Sequence, residues 1–169
     1  MSTKIRQMNA NDPEIINNAF ALQGWKDKSI ELFDKYLAEQ DINKRITLIA
    51  EIDRNFAGYI NVKWKSKYPF FLEKNIPEIT DFNVLIKYRR LGIGKKLLNR
   101  AEEIVRERSD FAGIGVGLYS DYGAAQIMYI KNGYIPDGNG IYNDNGYIKP
   151  GETIIIDDDV TLYFIKKLR

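Results

Sequence analysis

The residues with the clearest chemical meaning form a cationic turn in the middle of the chain. Arg89 and Arg90 are followed by Gly92 and Gly94, and two lysines come next. Apolar residues before this turn predict a β-strand, and a strongly amphipathic segment after it predicts an α-helix. The start of a helix leaves N–H groups unpaired and carries the positive end of the helix dipole. We therefore predict that the turn binds a phosphate compound.

Spacing excludes two common phosphate-binding motifs. A Walker A loop needs a glycine five residues before its Gly-Lys pair and Ser or Thr after it, but Arg89 and Lys96 stand there. A Rossmann fingerprint needs a third glycine, where this chain has Leu97. It also needs an acidic residue at the end of the next strand, where Leu118 and Tyr119 stand. The turn therefore belongs to neither class.

Composition limits the chemistry that the chain can perform. Apolar residues make up 44% and charged residues 28%, which indicates a soluble globular protein. The net charge of +2 is too balanced to indicate nucleic-acid binding. There is no cysteine and no histidine, so a cysteine nucleophile, a thiolate metal site and a Ser-His-Asp triad are all excluded. Any acid–base chemistry must come from Asp, Glu, Tyr or Lys, and we expect no metal.

The order of predicted elements indicates the fold. A strand is followed by two helices, three strands, a helix, a strand, a helix and two more strands. This order predicts one mixed α/β domain over residues 1–169, with a central, partly antiparallel sheet. The N-terminus has no apolar signal region and no stretch approaches a membrane span, so we expect a cytoplasmic protein.

Several connecting segments are candidates for a substrate site. The second helix is predicted over Asp27 to Glu39, and Trp25 just before it either packs into the core or forms an aromatic wall of a pocket. Residues 68–75 read as a loop with exposed aromatic side chains. Residues 136–159 are rich in Gly, Asn and Asp and read as a long connection that is functional or flexible.

Two segments together resemble the GCN5-related N-acetyltransferase (GNAT) superfamily. From Val84 to Gly94 the chain reads VLIKYRRLGIG, which is similar to the family's strand, basic turn and Gly-x-Gly helix start. From Ala125 the chain reads AQIMYIKNGY, which is similar to a second family block that contains a tyrosine. The order of elements matches as well, so the resemblance covers nearly the whole chain. The sequence departs from the usual pattern at Ile86, where many members have Pro, and at Tyr122, where many have Asn.

The resemblance implies a fold and a cofactor. The fold would be a mixed, mostly antiparallel sheet flanked by helices, with a splayed cleft between the fourth and fifth strands. The cofactor would be acetyl-CoA, whose pantetheine pairs with the backbone of one strand and whose pyrophosphate lies on the helix N-terminus. The residues expected to bind it are Val84, Ile86, Arg89, Arg90, Leu91, Gly92, Ile93, Gly94 and Lys95.

The resemblance also suggests catalytic residues. Tyr129 is the candidate acid that protonates the departing thiolate, although it could instead be a structural hydroxyl. The candidate bases are Glu78 and Asp81, of which Asp81 lies closer to the gap, although it could instead only bind substrate. Strand alternation puts these two side chains on opposite faces unless a bulge intervenes, so we expect only one to reach the site. The Val84 N–H is a plausible oxyanion donor.

The leading interpretation is an acetyl-CoA-dependent N-acetyltransferase that acts on a small amine or a peptide, by direct attack in a ternary complex. A non-catalytic acyl-CoA sensor on the same fold is the main alternative, and a nucleotide-binding protein is a third. Asp157 to Asp159 could form an acidic rim that attracts a cationic acceptor. Tyr142, Tyr147 and Glu152 are further candidates for the acceptor pocket. A homodimer is possible, because dimers are common in the family.

Overall fold

The computed structural model describes residues 2–169, which form one eight-stranded sheet with helices on both faces. The strands are β1 (Thr3–Gln7), β2 (Arg45–Ile52), β3 (Asn55–Lys63), β4 (Glu78–Val84), β5 (Phe111–Gly117), β6 (Ile135–Asn143), β7 (Gly146–Tyr147) and β8 (Thr161–Lys167). The helices are α1 (Asp12–Leu22), α2 (Ile30–Asp41), α3 (Pro69–Lys74), α4 (Ile93–Arg106) and α5 (Gly123–Lys131). Their arrangement confirms the mixed α/β fold.

The strands are ordered β1-β2-β3-β4-β5-β8-β6-β7 across the sheet. All neighbouring pairs are antiparallel except β4 and β5, which are parallel. The parallel pairing joins only Glu78 to Gly113 and Ile79 to Ile114. Beyond these residues the two strands no longer pair, and a cleft opens between them. The predicted splay between the fourth and fifth strands is therefore confirmed.

Two apolar clusters hold the helices on opposite faces of the sheet. The stripe of α4 that includes Leu97, Leu98 and Ala101 is fully buried against alternate residues of β2, β3 and β5. On the other face, Phe20 of α1 and Phe33 of α2 pack against intervening residues of β2 and β3. This alternation follows from the two-residue period of a strand. The α4 cluster fixes the helix whose N-terminus faces the cleft.

Alternate glycines of β5 let aromatic rings approach the strand beside the cleft. A Cβ at Gly113 would collide with the ring of Phe71, and one at Gly117 would collide with the ring of Tyr122. Residues that alternate with these glycines, such as Ile114, point to the opposite face of the sheet and are buried under α4. The glycines of β5 are therefore required for the close packing of the Phe71 and Tyr122 rings against this strand.

The segment 68–75 is helical, which corrects the prediction of a loop with exposed aromatics. Pro69 occupies the first turn of α3, a favourable position for proline, and Asn75 ends the helix in a left-handed conformation. Tyr68 and Phe71 are buried, at 1% and 0% exposure. Tyr68 stacks on Tyr163 of β8 with a centroid separation of 3.7 Å. This aromatic packing gives the segment its structure.

The segment 136–159 contains β6 and the short β7, which corrects the prediction of one long connection. β6 pairs with β8 through an irregular register between Pro136 and Ile141. Gly138 and Gly140 have φ values of 88° and 80° in this irregular part, and such backbone hides the two-residue period of a strand. The second helix also begins at Ile30 rather than at Asp27. None of the helices within residues 2–169 is both long and apolar enough to cross a membrane.

Candidate functional site

An open cleft of about 1390 Å³ follows the split between β4 and β5 and continues to the N-terminus of α4. Most of the predicted site residues line it. Those that do are Glu78, Asp81, Val84, Arg89, Arg90, Gly92, Ile93, Gly94, Lys95 and Tyr129. The basic residues of the glycine turn lie at one end, which we call the basic end (residues 89–95). Glu78, Asp81 and Asp158 line another part, which we call the acidic end.

The basic end presents free main-chain donors. Gly92 precedes α4 with a φ of 77°, and a left-handed conformation of this kind favours glycine. The first α4 amide that donates within the helix is that of Lys96, to the Gly92 carbonyl. Within residues 2–169, the N–H groups of Ile93, Gly94 and Lys95 have no acceptor. Unpaired donors at the positive end of a helix dipole suit an anion such as a pyrophosphate.

The edge of β4 at Val84 faces the open cleft. The next N–H, of Leu85, donates to the Ala57 carbonyl of β3 at 2.9 Å. Because main-chain groups alternate between the two edges of a strand, those of Val84 point to the side where β5 has separated. The Arg89 side chain crosses this edge, since its Nε donates to the Val84 carbonyl at 3.2 Å. A ligand that adds as an extra strand could pair here.

Two of the predicted cofactor residues do not line the cleft. Ile86 and Leu91 are 52% and 44% exposed. Ile86 lies in a short 3₁₀ turn after β4, and its N–H donates to Oε1 of Gln23 at 3.0 Å. This partner comes from the end of α1, and nothing in the glycine motif indicates it. The turn ends the extended backbone that a pantetheine chain would need at Ile86.

A bulge in β4 brings both predicted carboxylates to the cleft, which corrects the expectation that only one could reach it. Tyr59 of β3 pairs with Asn83, but Asn61 pairs with Thr80, so two residues of β4 stand opposite one of β3. Asp81 lies in this bulge with a φ of 41°. The extra residue reverses the alternation after Thr80 and turns Asp81 to the face that carries Glu78.

The Asp81 carboxylate is fully engaged within the protein. Its Oδ1 accepts from Lys28 Nζ at 2.9 Å and from the Tyr59 hydroxyl at 2.8 Å. The Asn83 side-chain amide also donates to Oδ1, and the Tyr36 hydroxyl donates to Oδ2 at 2.8 Å. Burial, and then the Asp81 charge, raise the pKa of both tyrosines, so both hydroxyls remain donors. These contacts were not foreseen, because they depend on the bulge.

Glu78 is partly buried and has one close hydrogen-bond donor. The Ser66 hydroxyl donates to Glu78 Oε2 at 2.5 Å. Lys63 is the cross-strand partner of Glu78 on β3, and burial lowers the pKa of its ammonium group. Burial raises the pKa of Glu78, although the Ser66 hydrogen bond and the charges of Lys63 and Arg45 oppose the rise. A cleft carboxyl with a raised pKa is a candidate general base.

Tyr129 of α5 lines the cleft and is 5% exposed. Burial raises the pKa of its phenol, so the hydroxyl keeps its proton near neutral pH. A protonated phenol in a partly closed cleft can donate a proton to a departing anion.

Asp158 binds two tyrosines at the acidic end. The hydroxyls of Tyr119 and Tyr122 both donate to Asp158 Oδ1, from Tyr122 at 2.8 Å. These hydrogen bonds, from Tyr119 first, lower the pKa of Asp158, and the charge of Lys28 acts in the same direction. Of the predicted acidic rim, Asp158 alone lines the cleft.

Other acceptor-pocket candidates lie elsewhere. Tyr142 and Tyr147 pack against Tyr68 with centroid separations of 5.1 and 6.0 Å, and neither lines the cleft. Glu152 is exposed and caps the Lys149 amide. Trp25 stacks on Phe20 at 5.5 Å between ring centres, as predicted for packing into the core, and it also lines the cleft. In residues 2–169 no group of three or more potential ligands is arranged to hold a metal ion.

Comparison with protein families gives one match, and it covers most of the chain. The model described as Acetyltransferase (GNAT) family matches residues 11–134. This range contains the bulged strand, the glycine turn and Tyr129. A comparison of the sequence with curated proteins finds no match.

Solved structures similar to this chain share its fold. A GNAT-family acetyltransferase, described as putative, from Desulfovibrio desulfuricans has a TM-score of 0.74 and 14% identity, covering 99% of this chain and 100% of its own. The PaiA N-acetyltransferase from Thermoplasma acidophilum, in complex with coenzyme A, has a TM-score of 0.67 and 19% identity, covering 99% of each chain. A chimera of the spermidine N-acetyltransferase SpeG from Vibrio cholerae and hSSAT has a TM-score of 0.71 and 14% identity, covering 99% and 96%.

Proposed function

The chain belongs to the acetyltransferase (GNAT) family, and on that premise we propose that it transfers the acetyl group of acetyl-CoA to a primary amine of a small molecule or peptide. One observation carries the proposal. The same cleft is lined by α4 amides without an acceptor, by Val84 at the separated edge of β4, and by both a carboxyl with a raised pKa and a protonated phenol. An acyl transfer to an amine needs these parts together.

The residues of the basic end fit coenzyme A. The amides of Ile93, Gly94 and Lys95 supply donors for the pyrophosphate, and Arg89 and Arg90 supply charge. The Val84 carbonyl supplies an acceptor for an amide N–H of the pantetheine arm, in place of the Arg89 Nε that donates to it here. The solved relative with coenzyme A bound has the same fold, which supports this assignment. Acetyl-CoA, when bound, supplies an activated acyl group.

Glu78 is the better candidate for the general base, although Asp81 was favoured from sequence. An amine is protonated at neutral pH and must lose a proton before it attacks. The raised pKa of Glu78 makes its carboxylate a stronger base, and it has one close donor, Ser66. Asp81 accepts four hydrogen bonds, one of them from an ammonium group, and is better suited to position the segment around it.

The leaving group and the oxyanion each have a candidate partner. Tyr129 keeps its proton and can donate it to the thiolate that departs. The Val84 N–H points into the split between the strands and can stabilise negative charge on the carbonyl oxygen. With no cysteine in the chain, direct attack by the amine is the simplest route.

The acceptor is proposed to be cationic because of the charges that line the cleft away from the glycine turn. Outside the glycine turn the lining has five acidic side chains, Asp27, Glu78, Asp81, Asp121 and Asp158, and two lysines, Lys26 and Lys28. The excess of acidic side chains favours an ammonium group and disfavours a second anion. A structural relative whose description names spermidine is consistent with an amine acceptor.

The test combines binding with turnover. Calorimetry should show that coenzyme A and acetyl-CoA bind more tightly than ATP or NAD. Release of coenzyme A should then be followed with a panel of monoamines, polyamines, aminoglycosides and peptide N-termini. Acetylated product from at least one amine class is the expected result.

The alternatives give different outcomes in the same assays. Tight acyl-CoA binding without product from any amine would favour a sensor module on this fold. Preference for ATP or NAD would overturn the cofactor assignment and favour a nucleotide-binding protein.

A further inference from the structure

One ammonium group of the protein already lies among the groups that would receive an acceptor amine. Lys28 lies between α1 and α2, and its side chain is 12% exposed. Its Nζ is 2.9 Å from Asp81 Oδ1 and 5.7 Å from the centre of the Tyr59 ring. The Lys28 carbonyl accepts from the Asn17 side chain at 2.8 Å, which fixes the backbone. The lysine is therefore held in the cleft at both its backbone and its ammonium group.

The contacts of Lys28 connect it to both sides of the split. Through Asp81 it reaches Asn83, the residue before Val84 at the separated edge of β4. Its charge also acts on Asp158, across the cleft. A cationic acceptor would be attracted to the same place by the same carboxylates. Lys28 thus places an amine of the chain itself on a carboxylate of the cleft lining.

We propose that Lys28 is a site of self-acetylation by this protein. The inference rests on the proposed function, because it requires an acetyl thioester bound at the basic end. Since the amine belongs to the chain, its effective concentration in the cleft is high, and reaction within one molecule is favoured over reaction between molecules.

The reaction balances with the groups present. The Lys28 ammonium loses one proton to a cleft carboxylate, and Asp81 is in direct hydrogen-bond contact with it. The neutral amine then attacks the thioester carbonyl, so a C–N bond forms and the C–S bond breaks. The nitrogen loses a second proton, and the thiolate takes one up. The net products are an acetylated lysine, coenzyme A and one released proton.

Acetylation would change the acidic end of the cleft. An amide at Lys28 carries no charge, so the ion pair with Asp81 would be lost. Asp81 would keep its hydrogen bonds from Tyr36, Tyr59 and Asn83 but would lose its paired cation, so its charge could attract an external ammonium group. The modification would therefore increase the negative charge available to an acceptor.

Two other lysines line the same cleft and provide internal controls. Lys26 is two residues away, and Lys95 lies in the basic end. Both are exposed, and neither has an ion-pair partner within residues 2–169. Random chemical acetylation would favour such exposed lysines. Because all three lysines line the same cleft, selective modification of Lys28 would require its placement at Asp81.

The experiment uses the full chain incubated with acetyl-CoA in the absence of any acceptor. Peptide mass spectrometry should find Lys28 acetylated about tenfold or more faster than Lys26 or Lys95, as expected for an amine that is held in one orientation in the cleft. The rate constant should not depend on protein concentration. Excess coenzyme A should suppress modification at Lys28, and acetyl phosphate should not reproduce its selectivity. K28R should lose the fast modification, whereas K26R should keep it.

Acetylation of Lys28 at or below the rate of the exposed lysines would overturn the inference. So would a rate that coenzyme A does not suppress. Calorimetry and amine turnover on the same preparation separate this result from failure of the proposed function. If acetyl-CoA binds and an amine is acetylated while Lys28 stays unmodified, only the self-acetylation is wrong. If acetyl-CoA does not bind, the proposed function itself fails.

Discussion

The two ends of the cleft are built in opposite ways. The basic end comes from one continuous stretch, residues 89–95, and it offers the N–H groups of Ile93, Gly94 and Lys95, which have no acceptor among the described residues. The acidic end is assembled from segments far apart in the chain, and it offers side chains that already bind one another. Lys28 Nζ lies 2.9 Å from Asp81 Oδ1, although the two residues are separated by 53 positions in the sequence.

This contrast indicates how each end can change. Main-chain donors do not depend on the identity of most side chains, so the basic end can bind the same ligand group in divergent sequences. At the acidic end, a ligand must compete with internal partners such as Lys28 and the Tyr36 and Tyr59 hydroxyls. Substitutions there should alter acceptor choice while the cofactor site stays intact.

Replacing Glu78 should produce the largest effect and should be confined to the acidic end. Glu78→Gln keeps the shape and can still accept the Ser66 hydrogen bond, but it cannot accept a proton. Turnover should fall about a hundredfold to ten-thousandfold, the usual contribution of a general base, while the affinity for coenzyme A is unchanged. Steady-state kinetics and calorimetry measure these two quantities.

The matched control for this substitution is Glu73→Gln, on an exposed part of α3 where the side chain is 74% exposed. It should leave turnover unchanged. If Glu78→Gln retained wild-type turnover, Glu78 would not be the base, and the same substitution at Asp81 would become the decisive measurement.

A charge placed at the N-terminus of α4 should affect only the basic end. A Cβ at Gly94 would lie 3.3 Å from Phe82 and 3.4 Å from the Met128 sulfur, so small shifts can accommodate it. Gly94→Glu places a negative charge where a pyrophosphate would bind, and the affinity for coenzyme A should fall by on the order of a hundredfold or more. The same charge is favourable to the helix dipole, so the Tm should not fall through electrostatics.

Gly94→Gln has nearly the same volume without the charge and separates repulsion from steric blocking. We expect it to lose much less affinity than Gly94→Glu. Equal losses in calorimetry would show that bulk, rather than charge, excludes the ligand.

The two ends also differ in how far the sequence predicts them. The basic end was largely predictable because the signal is local: glycine spacing, basic residues and an amphipathic helix lie within twenty positions. Even so, the glycine motif does not predict the surroundings of Ile86, whose N–H donates to Gln23 of α1 and whose backbone enters a 3₁₀ turn. The fold followed from element order, whereas α3 was missed because its six residues gain their stability from aromatic packing.

The acidic end was predicted only as a pair of candidate carboxylates. The bulge at Asp81 depends on the register with Tyr59, which no local pattern reveals. Lys28 carried no signal, because a lysine in a polar connection usually points to solvent. Asp158 stood in an acidic run whose three members could not be told apart until the Tyr119 and Tyr122 hydroxyls were placed beside it.

Removing the Tyr129 hydroxyl tests whether this residue of α5 acts as the general acid in the cleft. Tyr129→Phe should lower kcat by about tenfold to a hundredfold, which is at or below the lower end of the range usual for a general acid. The effect is small because a thiol with a pKa near 8.5 gives a thiolate that is already a stable leaving group. The Kd for coenzyme A should not change. The control is Tyr134→Phe, since Tyr134 is also buried, lies 6.1 Å from Tyr129 between ring centres, and does not line the cleft. Equal losses of kcat in both variants would assign Tyr129 a packing role.

The smallest expected effect is a change in the stability of the fold when Glu78 is replaced. Burial raises the pKa of Glu78 in the folded state, so the protonated form is the one that folding favours. Its contribution to stability is complete below the pKa of the unfolded chain and is lost as the pH rises through the folded value. Glu78→Gln mimics the protonated form, so the variant should gain stability relative to the wild type between mildly acidic and neutral pH. A rise of a few degrees in Tm, which corresponds to about 1 kcal/mol in the free energy of unfolding for a chain of this size, would be enough to detect this gain in stability. The difference should disappear in acid, where the wild type is also protonated.

A Glu78→Gln variant that is less stable than the wild type at neutral pH would contradict this prediction. It would mean that Lys63, Arg45 and Ser66 stabilise the carboxylate more than burial destabilises it. The argument for Glu78 as a base would then lose its electrostatic support.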